Sequence, residues 1–121
     1  MSINKQNLSI IIVSFKSNHV IHDCINSIDK NFEIIVVDNS NDQKFVKKLE
    51  VKYKNVKCIL SSKNLGMGAG NNLGIKNVNS DYVLILNPDV ILNKNTIEEL
   101  MIASKNLSDF AVIAPISNHL S

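Results

Sequence analysis

The chain has 121 residues, of which 45% are hydrophobic, 5% aromatic and 20% charged, and its formal net charge at pH 7 is +2. This length suffices for one domain with a sizeable core, which excludes a disordered tail, a collagen-like rod and a disulfide-stapled miniprotein. All 13 basic residues are lysines. A net charge this close to zero argues against a dedicated nucleic-acid-binding protein.

The sequence predicts a reduced, cytoplasmic protein. Its two cysteines, Cys24 and Cys58, lie in apolar stretches and are interpreted as small buried hydrophobes, with no spacing that suggests a zinc site. The N-terminus lacks the apolar region of a signal peptide, and no apolar run approaches the roughly 20 residues of a membrane span. Peripheral contact with the inner face of the membrane is left open.

The first half of the chain alternates apolar runs with helical patterns. A strand is predicted over Leu8–Phe15, followed by a helix from a cap at Asn18 to about Asp29 and a second strand over Glu33–Asp38. The next helix starts from a cap at Asp42. Its apolar stripe has the four-residue spacing of Phe45, Leu49 and Tyr53, and its lysines are interpreted as a solvated face.

The second half continues the alternation. The predicted elements are a strand over Val56–Leu60, a helix over Met67–Val78, a strand over Asp81–Leu86, a helix over Thr96–Leu107 and a last strand over Phe110–Ile116. Strands that alternate with helices of about a dozen residues indicate βαβ units. The predicted fold class is therefore α/β, with a mostly parallel sheet between two helical layers, in a single domain over residues 1–121.

Ligands bind open α/β sheets outside the carboxyl ends of the strands. Four segments qualify: Ser14–Lys16, Asp38–Asn39, Ser61–Gly70 and Asn87–Asp89. If the first, second and fourth strands are neighbours, Asp38 and Asp89 share one edge of the sheet. Asp89 then suits a divalent cation that a diphosphate carries in, and Asp38 suits the N–H of a base or the hydroxyls of a ribose.

The glycine-rich run from Asn64 to Gly74 allows backbone to approach a ligand closely at a helix start. A dinucleotide fingerprint should follow the first strand at once, whereas five residues follow the third strand here, so a nicotinamide site is disfavoured. A tight turn with close helix packing is the alternative, and it accounts for Gly74 better than for the whole run. His19 and His22, at a predicted helix start, are interpreted as solvated rather than metal-binding.

Four segments together resemble the family 2 glycosyltransferases of the GT-A fold. They are the Ile-Ile-Ile-Val-Ser-Phe run ending at Phe15, Glu33–Ser40, the glycine-rich run from Asn64, and the Leu-Ile-Leu-Asn-Pro-Asp-Val run ending at Val90. Their order and spacing are most similar to the rhamnosyltransferase-like branch. The resemblance implies a Rossmann-like, GT-A nucleotide-binding half, and an enzyme that transfers a sugar from a nucleoside-diphosphate sugar to a glycan or lipid-linked acceptor with inversion.

The resemblance also implies roles for individual residues. Those that would border the nucleotide and sugar are Ser14, Phe15, Asp38, Asn64, Gly66, Gly70, Asn71 and Asn87. Asp89 would bind the divalent cation, Mn²⁺ or Mg²⁺. Asn87 stands where many relatives carry the first carboxylate of an Asp-x-Asp motif, which puts metal dependence in question.

The resemblance places the catalytic base beyond the donor half, and we therefore expect it beyond Ser121, the last residue of this sequence. No residue here fits that role, since Asp109 directly precedes a predicted strand. The sequence thus looks like the donor-binding part of a transferase, truncated at its C-terminus, which needs a missing half or an oligomeric partner.

Two alternatives to a catalytic donor-binding part stay open: a non-catalytic nucleotide-binding or regulatory module, and an inactive fragment. The module predicts nucleotide affinity without sugar transfer, and the fragment predicts poor folding, because a sheet cut within a domain leaves an unpaired edge and exposed apolar surface. A response-regulator receiver is disfavoured, because Ser14–Lys16 replaces the acidic pair that a receiver carries after its first strand.

Overall fold

A computed structural model describes residues 3–105 of the chain. The strands are β1 (Leu8–Ser14), β2 (Glu33–Asp38), β3 (Val56–Leu60) and β4 (Tyr82–Leu86). The helices are α1 (Ile21–Asn26), α2 (Gln43–Lys52), α3 (Gly66–Lys76) and α4 (Thr96–Lys105). Over this part of the chain the elements alternate as predicted.

Two predictions concern the C-terminal part of the sequence. The predicted strand Phe110–Ile116 lies outside the described residues, and so does Ser121, beyond which we expect the catalytic base. The structure therefore does not test either prediction.

The four described strands form one parallel sheet in the order β3-β2-β1-β4. All seven residues of β1 are buried, because this β-branched strand lies in the middle of the sheet and is covered on both faces. On one face Ile10 and Ile12 pack in the larger core with residues of α1, α2 and α4. On the other face Ile11 and Val13 pack in a second cluster with Leu73 of α3. The three-layer α/β/α prediction is confirmed.

The strand order explains which helix lies on which face. The chain steps from β1 to β2 to β3 in one direction and then crosses back to β4 on the far side of β1. Crossovers between parallel strands are right-handed, so reversing the direction of travel places α3 on the face opposite α1 and α2. The reversal also creates a switch point between β1 and β4, where the carboxyl edge of an open sheet forms a crevice.

Several predicted boundaries shift in the structure. The first helix begins at Ile21 rather than after Asn18, and Val20 occupies the cap position without a side-chain cap. The carbonyl of Ser17 instead accepts hydrogen bonds from the backbone N–H groups of Val20 and Ile21. That helix also ends at Asn26, three residues short of the predicted Asp29.

The cap predicted for the second helix is confirmed, since the Asp42 side chain accepts from the backbone N–H of Phe45 at 3.1 Å. The third helix, α3, runs over Gly66–Lys76 instead of Met67–Val78. Within residues 3–105 the structure contains no helix of the length and hydropathy that crossing a bilayer requires.

Candidate functional site

The carboxyl ends of β1, β2 and β4 meet at one edge of the sheet, as the sequence predicted. Ser14 and Asp38 are register partners on β1 and β2, and the backbone N–H of Asn39 donates to the Ser14 carbonyl at 2.8 Å. On the other side of β1, Ile12 pairs with Leu86, so Asn87 follows immediately beyond the last pair. The four segments selected from the sequence therefore lie along the carboxyl edge of one sheet.

Asp38 is fully buried, and its carboxylate organises the turn that leads into α2. One carboxylate oxygen accepts from the backbone N–H and the hydroxyl of Ser40, and the other accepts from the backbone N–H of Asp42 at 2.8 Å. The turn contains Asn41 in the left-handed region, at φ 53°. Asp38 thus has a structural role in addition to the ligand-binding role predicted for it, and at least one lone pair of its second oxygen is not used by the turn.

Asn39 ties the end of β2 to the start of α3. Its side chain is 3% exposed, and its Nδ2 donates to the Gly66 carbonyl at 3.1 Å, while its Oδ1 is buried without a hydrogen-bond partner. Sequence analysis selected the Asp38–Asn39 segment but gave Asn39 no role. The only signal was a polar residue directly after a buried strand.

Two more buried side-chain oxygens near the carboxyl edge of the sheet lack a hydrogen-bond partner. In residues 3–105 the buried side-chain oxygens without a hydrogen bond are Ser14 Oγ, Asn39 Oδ1 and Asn71 Oδ1. Asn39 contacts the position next to Asn71, because its Nδ2 lies 3.2 Å from where a Cβ on Gly70 would stand. Buried polar atoms almost always have a partner, and leaving one without costs about 1–3 kcal/mol. Asn39 and Asn71 lie on the side of the sheet that α3 covers, whereas Ser14 continues the alternation of Ile10 and Ile12 on the side of α1 and α2. Three such atoms near the carboxyl edge of the sheet make this edge the candidate binding site for a polar ligand.

The structure explains three of the four glycines of the glycine-rich run, one by its turn and two by packing. Gly66 adopts φ +78° after an Asn64 side chain that accepts from its N–H at 3.0 Å, so it is required by the turn. Gly70 and Gly74 are required by packing, since a Cβ on either would lie 2.8 Å from a side-chain carbon of β1. A Cβ on Gly68 would meet nothing within 4 Å, and neither packing nor backbone conformation requires this glycine.

Phe15 and Lys16 lie beyond the end of β1. The Phe15 ring is 47% exposed, and Lys16 Nζ lies 5.3 Å from the centre of that ring. Lys16 adopts a positive φ of 55°, which is uncommon for a residue other than glycine. An exposed aromatic ring held next to the crevice can pack against a planar ligand group.

The segment that carries Asp89 is held by α1. The thiol of Cys24 donates to the Asn87 carbonyl at 3.7 Å, and the Ser27 hydroxyl accepts from the backbone N–H of Leu92 at 3.0 Å. The Asn87 carbonyl also accepts from the N–H of Val90 at 3.1 Å, which closes a turn around the exposed Asp89. Burial, together with the negative charge of Asp89, raises the pKa of Cys24 to about 11, so this group stays a neutral donor at pH 7.

Asp89 does not belong to a ready-made cluster of metal ligands in the part of the chain that the structure describes. Among the described residues, no three His, Cys, Asp or Glu side chains come together where they could hold a metal ion. Of the two histidines predicted to be solvated, His19 is exposed, whereas His22 is half-buried and its Nδ1 lies 2.8 Å from the Tyr53 hydroxyl at the end of α2. A cation at Asp89 would therefore need most of its ligands from a bound molecule and from water.

Comparison with known proteins decides the family. The sequence profile described as "Glycosyl transferase family 2" matches residues 9–117. The chain belongs to this family. It is 35% identical over 112 residues to the low-salt glycan biosynthesis hexosyltransferase Agl10 of Haloferax volcanii, covering 89% of this chain and 36% of that protein. It is also 27% identical over 85 residues to an uncharacterized glycosyltransferase of Haemophilus influenzae, covering 68% of this chain and 34% of that protein.

Solved glycosyltransferases share the fold. A TarS structure from S. aureus in complex with UDP superposes with a TM-score of 0.68 at 28% identity, covering 83% of this chain and 32% of that one. The mannosyltransferase PcManGT from Pyrobaculum calidifontis, in complex with GDP-Man and Mn²⁺, gives a TM-score of 0.67 at 18% identity over 85% of this chain and 32% of that one. The chain thus spans about a third of the length of the relatives it matches, and its α/β architecture is that of GT-A glycosyltransferases.

Proposed function

We propose that this chain is the donor-binding part of a glycosyltransferase that moves a sugar from a nucleoside-diphosphate sugar to a glycan or lipid-linked acceptor. The observation that carries the proposal is the set of three buried oxygens without partners near the carboxyl edge of the sheet, with Ser14 Oγ on the side of α1 and α2 and with Asn39 Oδ1 and Asn71 Oδ1 on the side of α3. Membership of family 2 supports it, as does the likeness to TarS, whose structure contains UDP.

The chemistry of these oxygens favours the nucleoside end of such a donor. Asn39 Oδ1 and Asn71 Oδ1 are acceptors, and the Ser14 hydroxyl can donate or accept. Acceptors pair with the N–H groups of a base and the hydroxyls of a ribose, whereas they repel the oxygens of a phosphate. The remaining lone pair of Asp38 has the same preference, and Phe15 offers an exposed ring to the base. Asn64, Gly66 and Gly70 shape the border of the crevice.

Asp89 fits the role of a metal ligand for the diphosphate. Mg²⁺ and Mn²⁺ are commonly held by one or two carboxylates together with substrate phosphates and water. An exposed carboxylate on a turn that α1 holds in place meets that requirement, although it is the single carboxylate there and Asn87 offers only a neutral amide. When bound, such a cation would neutralise the charge that develops on the leaving diphosphate.

The residues of this chain would bind and orient the donor so that its anomeric carbon is open to the acceptor hydroxyl. Direct displacement of the nucleoside diphosphate by that hydroxyl inverts the configuration, and it needs a base for the hydroxyl proton. We assign that base to a carboxylate outside residues 3–105, and its position beyond Ser121 stays a prediction from the resemblance. Rhamnosyl specificity, a role in polysaccharide or cell-envelope synthesis, and a cytoplasmic location remain predictions of the same kind.

A matched pair of serine substitutions on β1 tests the proposal. The Ser14 hydroxyl has no partner, whereas the equally buried Ser9 hydroxyl donates to Glu33 at 3.1 Å and bonds to Ser80. Ser14→Ala should leave the free energy of unfolding unchanged or slightly raised, since it removes an unsatisfied buried group. Ser9→Ala should lower that free energy by about 1 kcal/mol.

Nucleotide affinity, unlike stability, should change in Ser14→Ala and not in Ser9→Ala. Thermal-shift titrations with UDP, dTDP and GDP, each with and without Mn²⁺, measure it; saturation at a hundred times the dissociation constant stabilises by about 2.7 kcal/mol. We expect one nucleotide to bind, Ser14→Ala to weaken it by about 1–3 kcal/mol, and Ser9→Ala to leave it unchanged. If a well-folded chain binds none of the three, the donor-site proposal fails. Binding without sugar transfer by the complete protein would favour the non-catalytic nucleotide-binding module.

A further inference from the structure

The lysines of this protein are concentrated in one short stretch. Residues 43–57 contain six of the 13 lysines and a single carboxylate, Glu50, so this stretch has a charge of +5 while the rest of the chain has a charge of −3. Within the described residues Glu50 forms no ion pair with these lysines, and its carboxylate accepts from the backbone N–H of Cys58. A nearly neutral protein therefore has one strongly positive region.

The structure places four of these lysines on one side of α2, which we call the lysine face (Lys44, Lys47, Lys48 and Lys52). All four are exposed, and none forms an ion pair within the described part of the chain. Val51 lies among them with 83% of its surface exposed, although valine is normally a core residue. The opposite side of α2 is buried in the core through Phe45, Val46 and Leu49.

An open groove of about 740 Å³ runs along the lysine face towards α1. Its α1 side is lined by Asn18 and His22, and its only acidic lining residue is Asp42, whose carboxylate caps α2 by accepting from Phe45. The groove thus presents ammonium groups and amide or imidazole donors, which suit anionic headgroups.

We propose that the lysine face of α2 docks the protein on an anionic lipid bilayer, with Val51 entering the interface between headgroups and acyl chains. A cluster of surface lysines attracts the anionic headgroups of a bilayer, and an exposed apolar side chain among them can enter the interface. An RNA partner suits the face less well, because the chain has no arginine and the face has no exposed aromatic ring for base stacking. This proposal is independent of the donor site.

Docking through this face has a geometric consequence. A helix that lies on a bilayer is parallel to it. Because α2 starts directly after the turn that Asp38 organises, the carboxyl edge of the sheet would then lie beside the lipid surface. An acceptor carried by a lipid could reach this edge without leaving the membrane.

Vesicle sedimentation of the full chain tests the proposal without nucleotide or metal. We expect binding to vesicles that contain phosphatidylglycerol, little binding to pure phosphatidylcholine vesicles, and a steep loss with added salt, because surface charges are screened. The triple variant Lys44→Gln, Lys47→Gln, Lys48→Gln should weaken binding on the order of a hundredfold. Val51→Ser should weaken it about threefold or more.

Two matched variants distinguish an effect of the lysine face from an effect of the protein's net charge. The triple variant Lys30→Gln, Lys76→Gln, Lys94→Gln removes the same charge from exposed lysines elsewhere and should bind almost like the original chain. Replacing Lys44, Lys47 and Lys48 by arginine should restore binding. Equal loss in the two glutamine variants overturns the proposal, and so does equal binding to neutral vesicles. A single-stranded RNA that binds the same lysines more tightly than the anionic vesicles would also overturn it.

Discussion

The packing of α3 on the sheet predicts that two glycines of one helix respond to alanine in opposite directions. In Gly74→Ala the new Cβ would lie 2.8 Å from Ile11 Cγ2 and 3.3 Å from a methyl of Val37. Both neighbours are buried side chains in the middle of the sheet, so neither can move away freely. Overpacking costs about 1–3 kcal/mol, and a contact of 2.8 Å against side chains that cannot move belongs in the upper part of that range, at about 2–3 kcal/mol. Alanine returns about 1 kcal/mol in helix propensity. The net loss should be about 1–2 kcal/mol.

Gly68→Ala is the matched control, since its Cβ would meet nothing within 4 Å and its backbone is not in the left-handed region. Here only the helix propensity changes, and the free energy of unfolding should rise by up to about 1 kcal/mol. For a chain of this size, these values correspond to a melting temperature lower by roughly 3–10 °C for Gly74→Ala and higher by a few degrees for Gly68→Ala. Urea and thermal unfolding of both variants measure the difference.

The reasoning is refuted if the two variants shift stability in the same direction by similar amounts. Nucleotide titration then adds a second readout. If the exposed start of α3 borders the donor, Gly68→Ala should weaken nucleotide binding while it stabilises the fold. A purely structural role for the glycine-rich run predicts that affinity does not change.

Three further predictions concern the edge of the sheet. Asp38→Asn should lower the free energy of unfolding by about 1–3 kcal/mol, because one carboxylate oxygen that accepts from the turn becomes an amide donor. Asp81→Asn is the control for lost charge, since Asp81 is exposed and lies ahead of β4. Equal effects of the two variants in urea unfolding would remove the turn role of Asp38. Asp89→Ala should leave the melting temperature unchanged and abolish the dependence of nucleotide affinity on Mn²⁺; undiminished manganese dependence in calorimetry would exclude Asp89 as a ligand. Cys24, whose pKa is about 11 in the folded state, should lose stabilisation as the pH rises from its usual pKa of 9.0 towards 11, since the unfolded thiol ionises first. Its alkylation in the native protein should stay slow up to that range, and fast modification at pH 8 would contradict the burial and the effect of Asp89.

The order of elements followed from local sequence alone. Short runs rich in isoleucine and valine, such as Glu33–Asp38, are typical of strands that are covered on both faces. The four-residue spacing of Phe45 and Leu49 predicted the buried side of α2. Parallel strands share a carboxyl edge, so the sequence also predicted that Asp38 and Asp89 lie on one edge if the first, second and fourth strands are neighbours. These conclusions need only periodicities within a dozen residues.

Other features were decided by contacts between residues distant in the sequence. Asn39 bonds to Gly66, and Cys24 and Ser27 hold the Asn87–Leu92 segment across separations of 27 to 65 residues. No local pattern encodes such a partner, since each contact exists only after the strand order 3-2-1-4 has formed.

The glycine-rich run shows the same division between sequence and tertiary structure. Its glycine content predicted that the backbone closely approaches a ligand or another part of the protein, but the sequence did not identify which of the two. Gly70 and Gly74 approach the side chains of β1, which follows from α3 lying on the face opposite α1 and α2. The sequence by itself determined the elements and the edge where a ligand would bind. Only the tertiary structure decided which polar atoms at that edge are satisfied by the protein and which remain for a ligand, because burial and hydrogen bonding depend on neighbours that folding alone brings together.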